Sequence, residues 1–164
     1  MYLLKTMRLA LFEPDIPQNT GTLMRLCACL GVPLDIIEPC GFILSDKNLK
    51  RAGMDYIGHL EMTKHLNWEA FKTASAGKRL VLLSTKASSS FLDFEFRADD
   101  ILIAGRESAG VPEHVHQACD ARVCVPMKFG MRSINVALAS AMVLGEALRQ
   151  TGQYPAAQED GSVE

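Results

Sequence analysis

Apolar and polar residues alternate along this chain in short blocks. Arg8 to Phe12 (RLALF) is a brief apolar run that ends at Glu13-Pro14. Leu23, Leu26, Cys27 and Leu30 then recur at the i, i+3, i+4, i+7 spacing of one helical stripe. Asn19 or Thr20 is placed to cap that helix, and Gly31 followed by Pro33 ends it. Leu34 to Ile37 reads as a strand closed by Glu38-Pro39, which completes a β-α-β unit within the first forty residues. Ser45 is placed to cap a short helix, DKNLKRA, and Tyr56 to Met62 reads as a further strand. Asn67 caps WEAFKTA, ended by Gly77, and RLVLLS (79–84) is a buried strand. Residues 87–97 fit neither period. ILIA (101–104) is a strand running into GRESAGVP, and Pro112 suits the first turn of a helix to about Cys119. ARVCV (121–125) is the last strand, and a long helix follows from about Ser133 to Thr151.

Short apolar strands separated by helices predict an α/β fold with one parallel sheet and helices on both faces. At 164 residues the chain is sized for a single domain with a real core. Its bounds are read as 7–152, with 153–164 a polar, acidic, frayed tail. The last helix, INVALASAMVLGEAL, is apolar nearly all round. A sheet covers only one side of such a helix, so the other side is expected to meet a second copy in a homodimer.

Lys plus Arg total 17 against 19 Asp plus Glu, giving a net charge of −2. Overall charge therefore does not hold nucleic acid, although a local basic site still can. No apolar run reaches the roughly 18–20 residues of a membrane span, and MYLLKT lacks the features of a signal peptide. The expected location is the cytoplasm, without a membrane partner. Cys27, Cys29, Cys40, Cys119 and Cys124 are odd in number and lack zinc spacing, so they read as buried small hydrophobes. His114 and His116 read as a surface pair, and no metal is expected.

Chemistry is expected in the turns that follow strands: EPDIPQNTG, STKASSS, GRESAG and PMKFGMRSIN. In open parallel sheets ligands sit at the carboxyl ends of the strands, where these four turns would make a cleft. A triphosphate-binding loop, the dinucleotide fingerprint and a Ser-centred nucleophile elbow are all absent. Arg25 follows Asn19 and Gly21 outside the apolar stripe, where its guanidinium could grip a phosphate with two parallel hydrogen bonds.

With these residues assembled, the chain resembles the SPOUT superfamily of trefoil-knot RNA methyltransferases over about residues 7 to 152. It looks most like the small single-domain type that methylates the ribose 2′-hydroxyl at the tRNA wobble position. PQNTGTLMRLC resembles the first family motif through Asn19, Gly21 and Arg25. ILIAGRESAGVP resembles the second through Gly105, Glu107 and Gly110, and VPMKFGMRSINVALASA the third through Ser133 and Asn135. IIEPCGF and KNLKRAGMDY also look like the wobble-methylase branch.

The resemblance implies a C-terminal trefoil knot and S-adenosylmethionine as methyl donor. The donor pocket would fall to Leu83, Gly105, Val125, Ser133 and Ile134. Arg25, Asn19, Glu107 and Asn135 match the catalytic positions, with Arg25 orienting the hydroxyl and a neighbouring phosphate. Glu107 would fix its loop through backbone amides, and Asn135 would tie the knot loops and cap the last helix. The implied partners are the tRNA anticodon stem-loop, with no DNA, and a second subunit packed through the first and last helices. Lys47, Lys50, Arg51, Arg106, Lys128 and Arg132 are candidate RNA contacts. Three positions depart from the family pattern. Arg106 replaces a proline, Ala109 stands where an arginine is usual, and Gly145 replaces a tyrosine. The alternatives are a 2′-O-methyltransferase for another tRNA or rRNA position, or an RNA-binding relative with impaired catalysis.

Overall fold

The computed structural model describes residues 5–45, 47 and 56–157. The strands are β1 (Arg8–Phe12), β2 (Leu34–Ile37), β3 (Met62–His65), β4 (Leu80–Leu83), β5 (Ile101–Ala104) and β6 (Ala121–Val123). They form one sheet in the order β3-β2-β1-β5-β4-β6, and every pairing is parallel. The helices are α1 (Pro17–Leu30), α2 (Trp68–Ala74), α3 (Glu113–Ala118) and α4 (Val136–Thr151).

Two-residue periodicity in the strands builds two cores. Leu9, Leu11, Leu34, Ile36, Val81 and Leu102 face α1 and α4, packing with Leu23, Met24, Cys27, Val143 and Leu144. Ala10, Phe12, Ile37, Leu82, Ile101 and Ile103 face the other way, where Trp68 and Phe71 of α2 and Val115 of α3 cover them. A sheet buried on both faces explains why its strands read as continuous apolar runs. The expected α/β architecture, with helices on both faces, is the observed one.

Several boundaries differ from the sequence reading. Neither Asn19 nor Thr20 caps α1. Ile16 takes the cap position without a side-chain hydrogen bond, because Pro17 starts the helix with no N–H to satisfy. The strand expected at 56–62 is β3 at 62–65, preceded by a 3-10 turn at Ile57–His59. Pairing decides this: Met62 to His65 lie in register with Leu34 to Ile37, although only His65 of the four is buried. The last strand stops at Val123, which leaves Val125 in a loop, and Pro112 is the cap of α3 rather than its first residue. Asn67 caps α2 as expected by accepting from Ala70 N–H.

α4 begins at Val136 rather than Ser133. It buries Ala137, Ser140, Val143, Leu144, Ala147 and Leu148 and leaves Leu138 and Met142 exposed. The DKNLKRA helix, apart from exposed Lys47, lies outside the described residues, as do Lys50, Arg51 and the tail beyond residue 157. The first residue of the expected tail is anchored. Gln153 accepts from Met7 N–H at 2.9 Å and donates to the Ala98 carbonyl at 2.8 Å.

Candidate active site

The loops after β1, β4 and β5 and the segment before α4 meet at the carboxyl edge of the sheet. There they enclose a cleft of about 430 Å³. Leu83, Gly105, Ser133 and Ile134, four of the five expected pocket residues, line it together with Asn19, Glu107 and Asn135. The fifth, Val125, lines a smaller apolar pocket of about 80 Å³ that shares Leu83, Ser84, Thr85 and Ile134 with the cleft. The arrangement sets a cleft of mixed lining beside a smaller apolar pocket.

Hydrogen bonds across long sequence separations fix the loops. Asn135 Nδ2 donates to Asn19 Oδ1 at 3.0 Å, and its Oδ1 accepts from the N–H groups of Ala137 (2.8 Å) and Leu138 (3.2 Å). One side chain thus caps α4 and holds the start of α1 against it. In the turn after β5, Arg106 and Gly110 exchange backbone hydrogen bonds of 3.0 and 2.7 Å. A Cβ on Gly105 would lie 3.0 Å from the Gly110 backbone, so any side chain there would press this closure apart by a few tenths of an ångström.

Arg106 does not supply the positive charge missing at Ala109. Its guanidinium donates to the Glu13 carboxylate at 2.6 Å and to the Glu13 carbonyl at 3.1 Å, so that charge is already paired. Glu13 holds a φ of +42°, a region costly for a residue with a side chain, directly where β1 enters the cleft loops.

Glu107 accepts from Asp15 N–H at 2.9 Å, the backbone contact expected of it, and Ser108 Oγ donates to the Asp15 carboxylate. Burial, followed by the hydrogen bond to the Asp15 carboxyl, raises the Glu107 pKa above its ordinary value. Asp15 is held below its own, first by its hydrogen bond with Glu107 and then by Ser108. Gly41 braces the same loop. Its N–H donates to the Pro14 carbonyl at 2.9 Å, and a Cβ there would lie 2.9 Å from Asp15 Cα.

Arg25 is not brought to the cleft. Six residues along an α-helix amount to about 9 Å and a turn of roughly 120° away from Asn19. Its exposed guanidinium lies over the Tyr56 ring, 4.8 Å from the centroid. His116, read from sequence as a surface residue, lines the cleft instead. Its Nδ1 accepts from Arg122 Nε at 3.1 Å, which puts the proton of the neutral ring on Nε2. That Nε2 is buried and has no hydrogen-bond partner among the described residues. Ile16, Lys86 and Glu113 also line the cleft and were missed. Ile16 and Lys86 lie in the EPDIPQNTG and STKASSS turns, which were expected at the cleft without either residue being singled out, and Glu113 opens α3 just beyond GRESAGVP. Among the described residues no three His, Cys, Asp or Glu are grouped to hold a metal. Burial pushes the Cys27 thiol up to about 12 and Cys119 up to about 11, as suits inert core thiols.

Sheet and cleft define a parallel α/β domain whose ligand site is built from glycine-bearing loops at the strand carboxyl ends. The profile of the SpoU rRNA Methylase family matches residues 6–145. A protein of Beijerinckia indica subsp. indica named tRNA (cytidine(34)-2′-O)-methyltransferase is 61% identical over 146 residues, which is 88% of this chain and 91% of that one. A solved structure described as giving insights into the 2-OH methylation of C/U34 on tRNA superposes with a TM-score of 0.83. It is 39% identical and is covered to 96%, against 89% of this chain. The SpoU methyltransferase AviRb from Streptomyces viridochromogenes, solved in complex with the cofactor AdoMet, has a TM-score of 0.76 at 25% identity. The match covers 89% of this chain and 60% of that one. The chain belongs to the SpoU rRNA methylase family.

Proposed function

We propose that the protein transfers a methyl group from S-adenosylmethionine to the ribose 2′-hydroxyl of the tRNA wobble nucleotide, a cytidine or modified uridine at position 34. The observation that carries this reading is the convergence of Leu83, Gly105, Ser133 and Ile134, far apart in sequence, on one cleft. Support also comes from the 61% identity to a protein named for cytidine-34 2′-O-methylation.

The residues suit the donor. The apolar chamber of Leu83, Val125, Met127 and Ile134 matches an adenosine. Bound there, S-adenosylmethionine supplies a methyl carbon on a sulfonium, open to in-line displacement by an oxygen without a metal. The chain's own task is alignment, which contributes up to ~7–11 kcal/mol when two reactants are held in line. Gly105 lets the backbone come close to the ligand, while Asn135 and Asn19 keep two walls in register. Glu107 holds the turn after β5 to the loop after β1. Arg25, exposed beside Tyr56, is assigned to an RNA phosphate.

Lys47, Lys128 and Arg132 are exposed and are assigned to the anticodon stem-loop. Leu138 and Met142 on α4 are assigned to a homodimer through α1 and α4, and the C-terminal segment to the trefoil knot. The work is placed in the cytoplasm. The test is methyl transfer to purified tRNAs followed by nucleoside mapping. A 2′-O-methyl group at the wobble nucleotide is the expected product, whereas methylation only at another tRNA or rRNA position would replace the reading.

A further inference from the structure

The segment between β6 and the cleft carries a side chain that the fold leaves unused. Phe129 is fully exposed and Met131 is largely so. Burying a phenylalanine takes a large apolar surface out of water, and this position buries none of it. Its exposure is built into the backbone. Met131 N–H donates to the Lys128 carbonyl at 3.1 Å, and Gly130 has a φ of +87°, the left-handed value a tight turn requires at its third residue. The turn holds Phe129 at its tip. Lys128 and Arg132 flank it, both exposed and in no ion pair among the described residues. Four residues, at most about 14 Å of chain, separate Phe129 from Ser133 in the cleft wall.

We propose that Phe129 is a stacking platform for an unpaired base of the substrate RNA next to the nucleotide in the cleft, with Lys128 and Arg132 holding the adjoining phosphates. This rests on the methyltransferase reading and adds to it a residue that selects a flexible, single-stranded target. Aromatic side chains between cations are the recurring way of holding unpaired bases, because every base has a flat face and every nucleotide a phosphate. A second copy of the chain suits this turn less well. It would have to desolvate two cations that have no acidic partner nearby, and the apolar surface fit for it is on α4 at Leu138 and Met142. Phe129 acts as a positioning residue, since it holds RNA without reaching the reacting atoms.

The test compares wild type with Phe129→Ala, Phe129→Trp and Lys128→Ala on a synthetic anticodon stem-loop and on full tRNA. Phe129→Ala is expected to raise KM and the RNA Kd by about ten- to a hundredfold while kcat changes little. Phe129→Trp restores both. The salt dependence of RNA binding stays as in wild type for Phe129→Ala, whereas Lys128→Ala lowers its slope by about one. S-adenosylmethionine affinity and oligomeric state remain those of wild type. Unchanged RNA affinity in Phe129→Ala, with wild type still methylating the wobble ribose, overturns the stacking proposal and leaves the activity standing. A change in donor affinity or in subunit assembly also overturns it, by assigning Phe129 to the cofactor loop or to a subunit contact. If wild type methylates no RNA at the wobble ribose, the functional reading fails and the stacking proposal falls with it.

Discussion

The two ends of the sheet make opposite use of polar residues. At the amino edge, charges are paired inside the fold. Asp100, fully buried, accepts from Arg79 Nε at 2.7 Å, from Arg79 Nη2 at 2.6 Å and from Arg97 N–H at 2.8 Å. Asp35 accepts two hydrogen bonds from Arg8, at 2.8 and 3.1 Å, and a third from His65 Nε2 at 2.8 Å. Gln150 and Gln153 stitch the end of α4 to the same edge. At the carboxyl edge the loops also bond to one another, but they enclose space and leave His116 Nε2 and Asp15 Oδ1 buried without protein partners. Buried polar groups are normally satisfied within the protein, and these two are exceptions at the edge where the cleft lies. The amino edge ties the fold together, and the carboxyl edge carries the candidate site.

Mutations should separate the two. Asp100→Ala strands Arg79 at a largely buried position, and breaking such a pair costs about 3–5 kcal/mol. Calorimetry should show the melting temperature falling by roughly 10 °C, with donor affinity of the folded protein unchanged. Loss of donor affinity without loss of stability would erase the distinction between the edges. Gly105→Ala works the other way. Its Cβ presses on the Gly110 backbone, an overpacking cost of about 1–3 kcal/mol that falls on the ligand loop. Titration calorimetry should find S-adenosylmethionine bound about ten- to a hundredfold more weakly, with a smaller change in melting temperature than for Asp100→Ala.

Asn135→Ala belongs to both edges' logic, since it removes a helix cap and the tie to Asn19. The cap alone is worth about 0.5–2 kcal/mol. A melting-temperature loss of a few degrees is expected, together with a several-fold fall in kcat/KM. Unchanged kcat/KM would make Asn135 a cap and nothing more.

The smallest effect concerns pH. Glu107 has a folded-state pKa above its ordinary 4.5, so the folded protein holds this proton more tightly than the unfolded chain. The associated stability is fully present below 4.5 and is lost as pH rises through the raised value. Glu107→Gln cannot lose it. Across this window wild type should decline against the variant by about a degree or two in melting temperature, because the half-exposed carboxyl is screened by water. Parallel curves would remove the shift from the account.

What was legible in the sequence follows the same division. β1, β2, β4 and β5 announce themselves as apolar runs because both faces of the sheet are covered, and Asn67 announces α2 through its cap. β3 does not, since Met62, Thr63 and Lys64 are not buried and their strand exists through pairing with β2. In the site, the resemblance to the SPOUT family named Leu83, Gly105 and Ser133 in advance, and all three line the cleft. The resemblance named Asn135 as a tie, but the partners across the chain were not legible. Asn19 and Asn135 are 116 positions apart, and Glu13 and Arg106 are 93. Local periodicity carries no information about such pairs. Arg25 shows the opposite limit: it is close to Asn19 in sequence, but helical rotation parts them, and its guanidinium lies over the Tyr56 ring.

The claim on which the account depends is that the carboxyl-edge cleft holds the methyl donor. A crystal structure of the protein with S-adenosylmethionine tests it most directly. The donor is expected between Leu83, Gly105 and Ser133, with its adenine toward Val125 and Ile134. A cleft left empty at saturating donor, or a donor bound elsewhere on the molecule, would contradict the claim.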